Sequence, residues 1–224
     1  MLIAIYLSFL LGNGALGQFA PMVEAIAADV NGLKYPKTAR IAASMTLAQF
    51  MALSLDYSKL QRDLLADLLE RSPDWEVRSN AIIALGDLLV RYPNEFVHYT
   101  KNIFKRLTDP ELKVASNGLK VLTRLILADM IKPKGHISQI ARLITDRKEV
   151  IRDMARLFFI ELAKKNNTHI YNFLLDIISN LAGKDGMPEA DFHEMIRFLF
   201  NLLEKARNTE TLVVKLCQRF NNSR

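Results

Sequence analysis

Val77-Arg78-Ser79-Asn80-Ala81-Ile82-Ile83-Ala84-Leu85-Gly86-Asp87-Leu88 decides the fold, because its apolar frame is met twice more at a spacing of 37 residues. Val77, Ala81, Leu85 and Leu88 recur as Val114, Gly118, Leu122 and Leu125, and again as Ile151, Ala155, Phe159 and Leu162. The spacing i, i+4, i+8, i+11 is the buried stripe of an amphipathic helix. A second stripe keeps the same period: Ile103 and Leu107, Ile140 and Ile144, Ile177 and Leu181. Each repeat therefore carries two helices, and neither can bury its apolar face alone. Stacking on neighbouring copies makes a continuous core, which is the logic of an α-solenoid.

Outward from that frame, the stripes and their punctuation predict helices pairing 18–30 with 37–53, 57–71 with 74–91, 95–107 with 111–129, 136–144 with 148–164 and 169–181 with 188–206. A terminal helix is expected over 209–220. Pro36, Pro73, Pro93, Pro110, Pro133 and Pro188 fall in turns or at helix starts, where the missing N–H does least harm. No stretch alternates with period two long enough to make a strand. The expectation is an all-α solenoid of about five helix pairs plus a terminal helix, residues 1–224 forming one repeat array whose apolar start reads as a buried terminal helix or as a cut edge that packed against a preceding repeat.

The turns repeat as well. Thr108-Asp109-Pro110 and Thr145-Asp146-Arg147 lie 37 residues apart, with Ser72-Pro73 one repeat earlier. Asp or Ser there is placed to cap the second helix of each pair. Arg78 and Arg152 share one repeat position, and a capping Asp followed by Val-Arg is the pattern of HEAT repeats. The echo weakens at the ends: Ala39, Ala43, Leu47 and Phe50 fit only with an offset of 38, and Phe192 stands where Ala155 stood.

The net charge of +6 is unevenly spread. Residues 1–100 hold 8 Lys/Arg against 10 Asp/Glu, residues 101–165 hold 15 against 7, and residues 166–224 hold 7 of each. A basic middle sector suits DNA, RNA or an acidic protein surface, and equally a solvated helix face. Lys113, Lys148 and Arg152 lie nearest its turns. One cysteine, Cys217, cannot form an internal disulfide. The apolar run 1–11 has no basic residues before it and breaks at Gly12-Asn13-Gly14, short of the roughly 20 residues a membrane span needs.

Signs of catalysis are absent. Gly12-Asn13-Gly14-Ala15-Leu16-Gly17 spells GxGxxG, but a dinucleotide site needs flanking strands and an acidic residue about 20 positions on. His98, His136, His169 and His193 are scattered without metal-ligand spacing. No P-loop, HExxH or GxSxG occurs. Asp87, after Gly86 in an apolar helix, reads as a polar contact to a neighbouring turn, with Gly86 admitting a close helix approach. No catalytic residue, metal site or cofactor is expected. Met130-Ile131-Lys132-Pro133-Lys134-Gly135-His136 stands apart: two lysines flank a stiff proline, and a glycine opens the backbone before a helix start. Such a loop suits an acidic side chain, a phosphate or a partner loop.

Several stretches, in order, resemble one family. Val77-Arg78-Ser79-Asn80 through Ala84-Leu85-Gly86-Asp87-Leu88 to Arg91-Tyr92-Pro93-Asn94 is similar to the HEAT core of condensin complex subunit 1. So are Leu122-Thr123 with Leu125-Ile126-Leu127 and Asp129-Met130, then Lys132 and Lys134-Gly135, Ile170-Tyr171-Asn172, Asp176-Ile177-Ile178, and Thr209-Glu210 with Leu216-Cys217-Gln218-Arg219-Phe220. The resemblance implies a non-catalytic regulatory subunit of condensin with SMC ATPase subunits and a kleisin as partners. It also implies a role in mitotic chromosome condensation, contact with double-stranded DNA, and a nuclear and chromosomal location with a cytoplasmic pool. Lys132, Lys134, Gly135 and His136 resemble the loop that meets an SMC ATPase head. The rival from another class is a HEAT or armadillo-type scaffold or transport adaptor that holds a peptide in its groove. Neither reading calls for a small-molecule substrate or a membrane.

Overall fold

A computed structural model describes residues 17–133, 135–165, 167–181 and 187–202, and every regular element among them is helical. Two compact units divide the chain, Met1–Ile131 and Lys132–Arg224.

In the first unit, α1 (Ala20–Ala27) precedes α2 (Lys37–Leu53), and α3 (Leu55–Arg71) precedes α4 (Trp75–Arg91). A segment of short turns containing α5 (Thr100–Lys105) then leads to α6 (Leu112–Leu127). Helices α2, α4 and α6 stack side by side, parallel and in register. The Asn80 amide donates to Ser44 Oγ at 3.0 Å, and one repeat later the Asn117 amide donates to Ser79 Oγ at 2.7 Å. The stripe expected from the sequence is the core: Val77, Leu85 and Leu88 on α4 and Val114, Leu122 and Leu125 on α6 are all buried. Each such side chain contributes roughly 1.5–3 kcal/mol by leaving water.

The second unit holds α7 (Ile137–Arg142), α8 (Glu149–Lys165), α9 (Asn167–Leu181) and α10 (Glu189–Asn201). Ile140, Ile144, Ile151, Ala155, Phe159, Leu162, Ile177 and Leu181 are buried, so both stripes point inward here too. Phe158 and Phe159 meet edge to face, ring centres 4.9 Å apart. Phe192 is half-buried, and the buried contacts of α10 come from Met195 and Leu199, which is why the echo fades at this helix. The terminal helix expected over 209–220, the apolar run 1–11 and Cys217 lie outside the described residues.

Three expectations are corrected. The first helix ends at Ala27 and not at residue 30. Asp29 explains the early stop: its carboxylate accepts from the N–H groups of Leu33, Lys34 and Tyr35 at 2.8–2.9 Å, a local alternative to continuing the helix. The expected helix over 95–107 is broken into Pro93–Phe96, two 3-10 turns and α5. Thr100 and Thr108 hydroxyls bond carbonyls three residues back, which favours the tighter turn. Finally, the turn aspartates do not cap the helices that follow. Asp109 accepts from the Glu111 N–H at 3.0 Å and Asp146 from the Lys148 N–H at 2.8 Å, each closing a turn two residues long ahead of the helix.

Candidate functional site

The Lys-Gly loop is built by the way α6 ends. The N–H of Ala128 reaches the Arg124 carbonyl at 3.0 Å and that of Met130 reaches the Leu125 carbonyl at 2.9 Å. Between them Asp129 takes φ +57°, the left-handed conformation usually given to glycine at this point. Downstream, Ile131 and Pro133 are buried while Lys132 between them is exposed. Anchored neighbours thus hold a cation outward. The Pro133 carbonyl then accepts from the N–H groups of His136 and Ile137, both at 3.0 Å, and this opens α7. Gly135 is exposed at φ +78°, and a Cβ built there would meet no heavy atom within 4 Å. His136 is half-buried with Nδ1 3.3 Å from the Gln139 amide. Lys134 lies outside the described residues.

Two expectations change with this geometry. The N–H groups of His136 and Ile137 are already bonded to Pro133, so the loop offers a ligand less backbone than its glycine suggested. Gly135 also has open space but a constrained backbone, so a larger residue there strains the loop by about 1–2 kcal/mol even before a partner arrives.

The three cations singled out in the basic sector divide between the units. Lys113, exposed at the start of α6, stacks its ammonium 4.7 Å over the Trp75 ring. Lys148 is exposed at the turn before α8. Arg152 is half-buried, turns back to the Asp146 carbonyl at 3.5 Å and lies 3.9 Å from Asp153. It is the most structural of the three.

What the sequence reading passed over is a pair of ionic rungs in the first unit. Arg40 Nε donates to Asp74 at 3.1 Å, across one repeat. Arg78 grips Asp109 with two nitrogens, at 3.0 and 2.8 Å, and Arg106 stands 3.6 Å away. Burial pushes the Asp109 carboxyl up, but the Arg78 hydrogen bonds, the Glu111 N–H and the Arg106 charge outweigh it and hold the group below the usual carboxylate range. The shared position of Arg78 and Arg152 was the available signal; Arg40, 38 residues before Arg78, completes it. Asp87 makes a polar contact, but to a helix and not to the turn expected: its carboxylate meets Arg124 within α6 at 2.8 Å. At the adjacent Gly86 a Cβ would come within 2.6 Å of Val121 Cγ1, so α4 and α6 approach closely there. Among the described residues no group of three His, Cys, Asp or Glu side chains could hold a metal ion, and no helix is long and apolar enough to cross a membrane.

Comparison with known proteins adds to this geometry. The sequence model of the family described as non-SMC mitotic condensation complex subunit 1 matches residues 76–224. Condensin complex subunit 1 of Xenopus laevis is 39% identical over 214 residues, 95% of this chain and 16% of the relative. Its Homo sapiens counterpart is 40% identical over 214 residues, 95% of this chain and 15% of the relative. The chain therefore spans about one sixth of the length of these relatives. Among solved structures, a chain described under TOG-tubulin binding specificity, microtubule dynamics and mitotic spindle formation superposes with a TM-score of 0.55 at 17% identity. The likeness covers 91% of this chain and 75% of that one, and at this identity it is a likeness of fold alone.

Proposed function

Because the chain belongs to the family of non-SMC mitotic condensation complex subunit 1, we propose that it serves as a HEAT-repeat scaffold in a condensin complex, contributing binding surfaces to mitotic chromosome condensation and no reaction of its own. The family match over residues 76–224, with relatives near 40% identity, is the observation that carries this reading. Its place of action is the nucleus and the mitotic chromosome, with a cytoplasmic pool.

Within that reading the loop Lys132, Lys134, Gly135 and His136 docks an SMC ATPase head. Support comes from the outward cation at Lys132 and from the open space at Gly135, where an added Cβ would meet no heavy atom within 4 Å. The kleisin is the second protein partner. Lys113 in the first unit and, separately, Lys148 and Arg152 in the second offer cations to double-stranded DNA, read through phosphates and indifferent to sequence. The test is calorimetric. Lys132→Glu with Lys134→Glu should keep the thermal midpoint, since surface changes usually stay within about 0.5 kcal/mol. Binding to an isolated SMC ATPase head should weaken. Wild-type affinity in that variant sinks the loop assignment. For DNA, reversing Lys113, Lys148 and Arg152 should lower both affinity and its dependence on salt.

A further inference from the structure

We propose that the exposed face of α2, α4 and α6 in the first unit is a docking groove for an extended segment of a protein partner with the pattern apolar–acidic–acidic–apolar. Two clefts lie side by side on this face. One, of about 260 Å³, opens between α2 and α4 beside Met45 and Ile83. The other, of about 330 Å³, opens beside Val90 and Met130. These four large apolar side chains are each more than a third exposed, unlike the stripe residues of α2, α4 and α6 that form the core. Asp87 lines both clefts and forms the waist between them with Arg124.

Charge selects the occupant. At the waist Asp87 and Arg124 pair at 2.8 Å and cancel. One helical turn to either side of that pair stand two exposed cations, Lys120 on α6 and Arg91 on α4. Arg91 donates to the Tyr92 hydroxyl and stacks on its ring, but neither cation meets a carboxylate among the described residues. A segment crossing the waist therefore passes between two uncompensated positive charges. Acidic residues at its centre match them, and basic residues there meet repulsion.

Spacing selects the pattern. The two clefts lie on either side of α4 and share Asp87, and packed helices lie about 8–10 Å apart, so their centres are separated by at least about that distance. A polyproline II segment has three residues per turn and advances about 3.1 Å per residue, which places i and i+3 on one face about 9 Å apart. Apolar side chains at those positions fill the two clefts, and the two residues between them turn toward Lys120 and Arg91.

The experiment is an anisotropy titration of the full chain with a fluorescein-labelled peptide containing Leu-Asp-Glu-Leu between Gly-Ser flanks. Saturable binding is expected, with a Leu-Lys-Lys-Leu peptide weaker by about tenfold or more. Ile83→Asp with Val90→Asp should abolish binding, and Lys120→Glu with Arg91→Glu should invert the preference between the peptides. Absence of saturable binding, equal binding of the two peptides, or binding unmoved by the Ile83 and Val90 changes overturns the proposal. If circular dichroism shows the double Asp variant misfolded, the charge-reversed variant decides, because both its positions are exposed. An unchanged preference there overturns the proposal. None of the substituted residues, Ile83, Val90, Arg91 and Lys120, belongs to the Lys-Gly loop, so failure here is separable from failure of SMC-head binding.

Discussion

The turn before α6 and the turn before α8 share Thr-Asp and a place in the repeat, yet their aspartates do different things. Asp109 is buried, gripped by Arg78 from the preceding helix pair and approached by Arg106. Asp146 is half-exposed; among the described residues its carboxylate accepts from the Lys148 N–H and meets no guanidinium. The position that holds Arg40 on α2 and Arg78 on α4 holds Ala115 on α6. One repeat slot can thus be a structural rung or a stretch of surface, and the residue one repeat earlier decides which. The slot with the rung keeps its charges for the fold. The slot without it leaves Lys148 exposed at the same turn.

The comparison presumes that both turns sit on equivalent cores, and that presumption is the first thing to break. Leu122 and Phe159 occupy the same repeat position and are both fully buried. Phe159→Ala should cost about 3–5 kcal/mol and Leu122→Ala about 2–5 kcal/mol in urea unfolding. The chain has one tryptophan, Trp75, in the first unit, so its fluorescence follows that unit while circular dichroism follows both. A negligible cost at either position would end the equivalence.

Truncating the aspartates tests the rung itself. Asp109→Ala leaves Arg78 without its buried partner and should cost about 3 kcal/mol, whereas Asp146→Ala should cost about 1 kcal/mol or less. Equal costs would mean the rung contributes nothing. Acid sharpens the same contrast. Because folding depresses the Asp109 carboxyl, its contribution is complete above the ordinary carboxylate range, near pH 4, and is lost as pH falls through the lower folded value. The Trp75 transition should weaken on acidification below about pH 4, and less so in Asp109→Asn.

Glycines on α4 and α6 give a smaller contrast of opposite sign. Gly86→Ala should cost about 1–3 kcal/mol, because the new methyl meets stiff Val121. Gly118→Ala should gain up to about 1 kcal/mol, since its nearest neighbours stand at 3.8 Å. Thermal midpoints of the two variants moving in the same direction would refute this.

How far the sequence could be read depends on what each feature needs. The stripes were legible because burial depends on periodicity, and every one of their described positions is inside. Position and type of the long helices followed from the same signal. The breaks near Val97 and Asp29 did not, since they turn on side chains bonding local backbone, a contest that periodicity does not register. Lys132 was found by its neighbours Pro133 and Gly135, whereas the engagement of the His136 and Ile137 N–H groups needed coordinates. Arg40, Asp74 and the clefts beside Ile83 join residues more than 30 positions apart, and a single chain read linearly shows such meetings only where the repeat keeps strict register.

The close approach at Gly86 also bears on how the first unit carries load. Other contacts between α4 and α6, Asn117 with Ser79 and Arg124 with Asp87, run through side chains that can change rotamer and so give a little when pulled. Gly86 brings no side chain of its own: Val121 bears almost directly on the backbone of α4. A contact of that kind has little compliance, because close-packed atoms resist compression and lose attraction steeply on separation. Under tension applied across the stack, α4 and α6 should behave as one stiff plank, and slack should be taken up at other seams first.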